Sequence, residues 1–214
     1  MRPELTLYHY WRSSCSWRVR WALALKHVPY ESVPVNILKN EHQSPEYLKK
    51  NPAGFLPALK VGDRCFGESL ALIEYIDETW PEPALWPKDP LARMHARQLA
   101  LTIVAGTQPL QNPSLIKHFV PEEGARKPHV QHWIKRGLGV YESLLEQGPV
   151  KPGKFSCGEQ VTGADLCLIP QVYNALRFDV DLAATPLVKG IYERCLETAE
   201  CDVAAPHNQP GAQA

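Results

Sequence analysis

The sequence predicts a two-part chain: an α/β N-terminal domain of element order β-α-β-α-β-β-α, followed by an all-helical C-terminal domain. Three observations carry this reading. Strand-period and helix-period segments alternate up to residue 80. Residues 81–90 (PEPALWPKDP) then hold four prolines in ten positions, which breaks regular structure and marks a linker. Beyond it only helical periodicity recurs. The domains are therefore expected at 1–80 and 91–214, with 202–214, rich in Ala, Pro and Gln, as a frayed tail. A length of 214 residues suits one large or two small domains, at roughly 100–200 residues each.

Each element has a local cause. Residues 5–9 (LTLYH) alternate apolar and polar positions, as a half-buried strand does. Ser13 and Ser14 then offer helix-capping oxygens, and residues 15–27 carry Trp17, Trp21 and Leu25, with Val19 and Leu23, at helical spacing. Residues 30–37 are rich in β-branched side chains and form a second strand, completing a right-handed βαβ crossover. Residues 39–50 are less regular and supply the second helix only weakly. Two prolines mark 51–57 as a loop, and the segments 58–61 and 64–66 flank Gly62-Asp63, a hairpin turn suited to positive φ. Glu68-Ser69 opens a helix through Leu70, Ile73 and Ile76 that ends before Pro81. Past the linker, helices are expected at 91–104, 128–147, 164–176 and 187–199, with Thr162 and Asp165 as a capping-box variant.

Composition narrows the function. Lys plus Arg and Asp plus Glu both total 23, so no global basic field recruits nucleic acid or anionic membrane. The longest apolar runs, 166–170 and 21–25, fall far short of the ~20 residues that span a bilayer. Met1-Arg2-Pro3-Glu4 leads into the alternating segment instead of an apolar signal core, so no export signal is expected. Six cysteines without CxxC or regular spacing suit a cytoplasmic protein with reduced thiols and no metal site. Cys167, in an apolar run, reads as a small core residue.

The informative segment is Ser13-Ser14-Cys15-Ser16-Trp17-Arg18, where a strand hands over to a helix. Free backbone N–H groups and the positive end of the helix dipole favour a thiolate, carboxylate or phosphate there. Ser13 cannot act as base toward a thiol, but it can donate a hydrogen bond that lowers a bound thiol's pKa. Against this stands simple helix capping by both serines. Cys15 reads either as a low-pKa nucleophile or as a packing residue, and no histidine can be placed beside it from sequence.

A second group is Leu56-Pro57 with Glu68-Ser69. Proline between loop and strand is a frequent cis site, presenting the Leu56 backbone to a ligand's main chain; a rigid turn is the plainer reading. Glu68 offers a carboxylate to an ammonium, and Ser69 a hydroxyl and amides to a carboxylate, unless Ser69 is only a cap. Together they describe a site for a peptide-like ligand with an α-amino acid end. Trp11 and Trp17 either wall off water or pack in the core. Glu122-Glu123 reads as solvated charge in a loop.

These segments resemble the glutathione transferases, specifically the zeta class. The resemblance rests on SSCSWRVRWALALK (13–26), NP with LPAL (51–59), ESLALIEYIDE (68–78), GTQPLQNPSLIKH (106–118) and GEQVTGADLCLIPQVYNALRF (158–178). It implies the glutathione transferase fold, with a thioredoxin-like first domain, a cytoplasmic homodimer, and glutathione as cofactor. By matching positions it implies that Ser13, Ser14 and Cys15 are catalytic, with Ser13 activating the glutathione sulfur and the whole run through Ser16, Trp17 and Arg18 lining that pocket. Leu56, before a cis Pro57, would pair with the cysteinyl backbone. Glu68 and Ser69 would hold the γ-glutamyl end and His42 or Gln43 the glycyl carboxylate. Gln108, Asn112 and Ser114 would complete the site, and Arg177 would bind a small acidic substrate. Four departures stand out: Glu68 replaces a frequent Gln, the His42 region is short, Pro113 removes a backbone donor, and Gly54-Phe55 replaces more polar residues.

The activity implied is glutathione-dependent cis-to-trans isomerisation of maleylacetoacetate, in tyrosine and phenylalanine breakdown, by thiolate addition, rotation and elimination. Arg177, with Arg12 or Arg18 in support, would bias charge toward the developing enolate, although all three also read as surface arginines. Isomerisation of maleylpyruvate, or transfer to α-halo acids, would use the same thiolate. A non-catalytic glutathione-binding stress or assembly protein is the reading of another class. A thioredoxin-type oxidoreductase is disfavoured, because Cys15 has no resolving partner two residues away.

Overall fold

The computed structural model describes residues 3–212, so Met1, Arg2 and the last two residues of the expected tail lie outside it. The chain divides into two compact units, 1–84 with 199–214, and 85–198. The break falls within the proline-rich stretch, but the tail belongs to the first unit, not to the helical one.

The first unit holds β1 (Leu5–His9), α1 (Ser14–Leu25), β2 (Glu31–Pro34), α2 (Pro45–Leu48), β3 (Ala58–Val61), β4 (Arg64–Phe66) and α3 (Ser69–Thr79). The sheet order is β2-β1-β3-β4, with β1 parallel to β2 and antiparallel to β3. Gly62 takes the hairpin turn at φ 58°. β2 is shorter than the expected 30–37, because Asn36 turns the chain into a 3-10 turn, its Oδ1 accepting from Leu38 N at 2.9 Å. Residues 39–50 contain only 3-10 turns and the four-residue α2, capped by Ser44 with Pro45 at its first position.

Helix α1 departs from an ordinary amphipathic helix: Ser16 to Leu23 are all buried, including Arg18 and Arg20. It packs against α3 and also against α9 (Ala199–Ala204), so it has little solvent face. The expected frayed tail is thus corrected as far as residue 212: Cys201, Ala204, Ala205 and Pro206 are buried. Arg20 Nε donates to Ala204 O at 2.9 Å, its Nη2 to Trp11 O at 3.0 Å, and its Nη1 to His9 Nδ1 at 3.2 Å. A guanidinium only donates, so His9 accepts through Nδ1 and its Nε2–H donates to Ser32 Oγ at 2.7 Å. Burial, and then the Arg20 charge, pull His9 down to about 3, which keeps the ring neutral. Burial draws Arg20 down to about 9, still charged at neutrality.

The second unit holds α4 (Pro90–Val104), α5 (Pro113–Phe119), α6 (Glu123–Gln147), α7 (Gly163–Arg177) and α8 (Pro186–Leu196), with α4 packed on α7. Asp165 behaves as the capping motif predicts. Its carboxylate accepts from Thr162 N, Thr162 Oγ1 and Ser156 N at 2.8–2.9 Å, and it is fully buried. Cys167 is a buried core residue. Two expectations are corrected. Helix α6 starts at Glu123, not 128; Pro128 is accepted inside it, and Glu122 and Glu123 are an exposed helix start, not a loop. Helix α8 stops at Leu196 instead of running on to 199. α5 has no counterpart in the sequence reading; it is one short helix capped by Asn112.

Candidate active site

The N-terminus of α1 sets the first group. Ser13 is its N-cap, and Ser13 Oγ accepts from Ser16 N at 3.2 Å. That bond uses one lone pair, and among the described residues the Ser13 hydroxyl proton has no acceptor. Ser13, Ser14 and Cys15 are half-buried and reachable. Ser16 and Trp17 are not: Ser16 is fully buried and its Oγ accepts from Tyr10 N at 3.4 Å, while the Trp17 ring is core. Trp11 is half-buried, with the Arg12 guanidinium over its ring at 5.2 Å.

Arg18 contradicts the surface-arginine reading, since it is 0% exposed. Its Nη1 donates to Ser69 Oγ at 3.2 Å and lies 3.6 Å from Cys15 Sγ, tying the start of α1 to the start of α3. No local signal distinguishes it from an exposed helical arginine, because the burial comes from α3 and α9.

The second group is the loop before β3. The Leu56–Pro57 bond is cis, as the position suggested. Tyr47 Oη and Asn51 Nδ2 both donate to Phe55 O, at 2.7 and 2.8 Å. Gln43 Nε2 donates to Gly54 O at 3.1 Å. Gly54 sits at φ 63°, a backbone angle that favours glycine, and a Cβ there would lie 2.5 Å from Gln43 Nε2, so the Gln43 side chain would have to move. Gln43 therefore braces this loop. His42 is half-buried, its Nδ1 is without a partner, and burial lowers its pKa. The loop leaves the Leu56 N–H and C=O without a protein partner among the described residues. Glu68 stands beside it at φ 63°, ψ 100°, a strained conformation for a non-glycine residue, with its carboxylate exposed. Ser69, next to it, is buried.

The helical unit carries the third group. Asn112 Oδ1 accepts from Ser114 N and Ser114 Oγ, at 3.1 and 2.8 Å, so these two side chains pair at the start of α5. Gln108 lies half-buried in the 3-10 turn Gln108–Gln111. Arg177, at the end of α7, lines a cavity of about 620 Å³ with Lys117, Arg126 and Lys127, against a single acidic side chain, Glu123. Arg177 Nη1 donates to Asn174 Oδ1 at 3.1 Å, and Asn174 Nδ2 donates to Gln111 Oε1, which also receives Gln171 Nε2. Gln111 and Asn174 thus orient Arg177, a role that shows only when α7 and the 3-10 turn are brought together. The cavity suits a small anion bearing carboxylates.

The family model of the glutathione S-transferase N-terminal domain matches residues 3–78. Maleylacetoacetate isomerase of Rattus norvegicus is 43% identical over 97% of this chain and 95% of its own length. A zeta-class glutathione S-transferase of Euphorbia esula is 41% identical over 98% of this chain and 93% of its own length. Among solved structures, a bacterial zeta-class maleylpyruvate isomerase superposes with TM-score 0.92 at 39% identity, over 97% of this chain and all of the other. Maleylacetoacetate isomerase of Anaeromyxobacter dehalogenans 2CP-1, with glutathione bound in its active site, gives TM-score 0.88 at 38% identity, covering both chains in full. A cis proline after an unpaired Leu56 backbone, a helix-capping serine at the start of α1 and over 40% identity to such relatives along nearly the whole chain lead to one conclusion: the chain is a zeta-class member of the glutathione transferase family.

Proposed function

We propose that the chain is a glutathione-dependent isomerase that converts maleylacetoacetate to fumarylacetoacetate. The observation that carries this is Ser13: a half-buried hydroxyl, fixed by its bond to Ser16 N, with its proton free to donate at the positive end of α1. The rest of the first unit fits the same cofactor. Leu56 offers one donor and one acceptor to a peptide backbone, Glu68 suits an ammonium, and Ser69, held by Arg18 Nη1, suits a carboxylate. His42 takes the glycyl carboxylate, since Gln43 already braces Gly54.

When bound, glutathione supplies a thiol whose anion adds to the activated double bond and later leaves, so that rotation occurs about a single bond in between. Ser13 would donate a hydrogen bond from its hydroxyl to the sulfur, keeping its own proton, and with the amides of α1 would hold the sulfur in the anionic form. Ser14 and Cys15 line the same turn. Arg177 grips the substrate carboxylate and draws the developing charge toward its carbonyl oxygen. The resemblance to the zeta class assigns Gln108, Asn112 and Ser114 to cofactor binding as well. The exposed apolar row Leu91, Met94 and Leu101 on α4 supports a homodimer. We place the protein in the cytoplasm, where its six unbridged cysteines stay reduced.

Isomerisation of maleylpyruvate is the second reading, supported by the 39% identity to the solved zeta-class maleylpyruvate isomerase. Parallel assays on both substrates, with and without glutathione, decide. Turnover of maleylacetoacetate that needs glutathione supports the proposal; turnover of maleylpyruvate alone moves the substrate assignment; neither removes the enzyme reading.

A further inference from the structure

Helix α1 buries two arginines two residues apart, and they differ in one respect. Arg20 bonds through all three guanidinium nitrogens, to Ala204 O, His9 Nδ1 and Trp11 O. Arg18 is just as buried, yet its Nε and Nη2 have no partner. Nη1 alone is engaged, by Ser69 Oγ at 3.2 Å and Cys15 Sγ at 3.6 Å. Among the described residues no carboxylate lies within ion-pair distance of Arg18.

A buried cation without a counter-ion is costly, and unmade hydrogen bonds add to that cost. The positive ends of α1 and α3 start at the same place, at Ser14 and Ser69, and reinforce the charge. The unliganded protein thus holds an excess of positive potential under the residues that face the proposed cofactor. Arg20 shows that burial in α1 does not by itself leave a guanidinium unsatisfied.

We infer that Arg18 is the buried counter-charge to bound glutathione, a positioning residue that offsets the thiolate through Cys15 and the γ-glutamyl carboxylate through Ser69. The inference rests on the glutathione reading above. Its consequence runs opposite to that of a structural arginine: the charge costs stability in the unliganded protein and returns it when the anion binds.

The test compares full-length wild type with Arg18→Met, measuring thermal midpoint with and without reduced glutathione, and glutathione affinity by calorimetry. Expected for Arg18→Met are an unliganded midpoint equal to or above wild type, affinity at least tenfold weaker, a smaller glutathione-induced midpoint shift, and less thiolate absorbance at pH 7. A lower unliganded midpoint with affinity within twofold of wild type marks Arg18 as structural and overturns the inference. Where Arg18→Met does not fold, Arg18→Lys and Arg18→Gln decide: the charged variant must bind glutathione at least fivefold more tightly than the neutral one, and equal affinity refutes the idea. A wild type that binds no glutathione fails the glutathione reading itself; a wild type that binds while Arg18→Met binds equally fails only this step.

Discussion

Replacing Ser13 with alanine removes two interactions that can be measured apart. The first is structural: Ser13 Oγ caps α1 by accepting from Ser16 N at 3.2 Å. Loss of such a cap costs about 1 kcal/mol, or roughly 2–4 °C in midpoint for a chain of this size. The second is chemical: the hydroxyl proton, which has no acceptor among the described residues, is the one proposed to bond the cofactor's thiolate. A hydrogen bond to a charged group contributes about 1.5–3 kcal/mol, so turnover should fall roughly 10- to 150-fold. Ser13→Asp separates the two, since aspartate caps as well as serine but has no proton to give at neutral pH and repels an anion. Ser13→Thr keeps both roles. Steady-state isomerisation of maleylacetoacetate at saturating glutathione, read alongside thermal midpoints, gives the answer. The expected pattern is Ala slow and slightly unstable, Asp slow and stable, and Thr closest to wild type in both. If Ser13→Asp turns over within threefold of wild type, Ser13 is only a cap and the sulfur is activated by something else.

His9 is held near 3 in the folded protein, against 6.5 when unfolded, so its stabilising neutral form is fully present above 6.5 and is lost as pH falls toward 3. Its share of the acid slope, about 1.4 kcal/mol per pH unit in that window, should vanish in His9→Gln denaturant titrations. Gly54→Ala places a Cβ 2.5 Å from Gln43 Nε2 at φ 63°, and should cost about 1–2 kcal/mol while weakening glutathione binding; unchanged melting and affinity would contradict the loop's role. Arg177→Ala should raise the KM for the acidic substrate roughly tenfold or more, with Arg177→Lys partly restoring it; an unchanged KM assigns the carboxylate to other residues of that cavity.

Much of this protein could be read one segment at a time. The strand at 5–9, the Gly62 hairpin, the Ser13 cap and the Thr162–Asp165 capping box each depend on neighbours a few residues away, so period and side-chain type sufficed. The cis bond after Leu56 was legible for the same reason. Sequence reasoning went astray where burial comes from distant chain. Arg18 read as a surface arginine, and Arg20 drew no reading at all, but α3 and α9 cover both sides of α1 and bury both. The segment from Asp202 has no helical period, yet Arg20 holds the carbonyl of Ala204 and orders it. Gln111 and Asn174, 63 positions apart, become one network around Arg177 only in the packed helical unit. Local chemistry, then, belonged to the sequence. Which charges lost their water, and so which of them need a partner, was decided by tertiary packing, because desolvation depends on everything that surrounds a group and not on its neighbours in the chain.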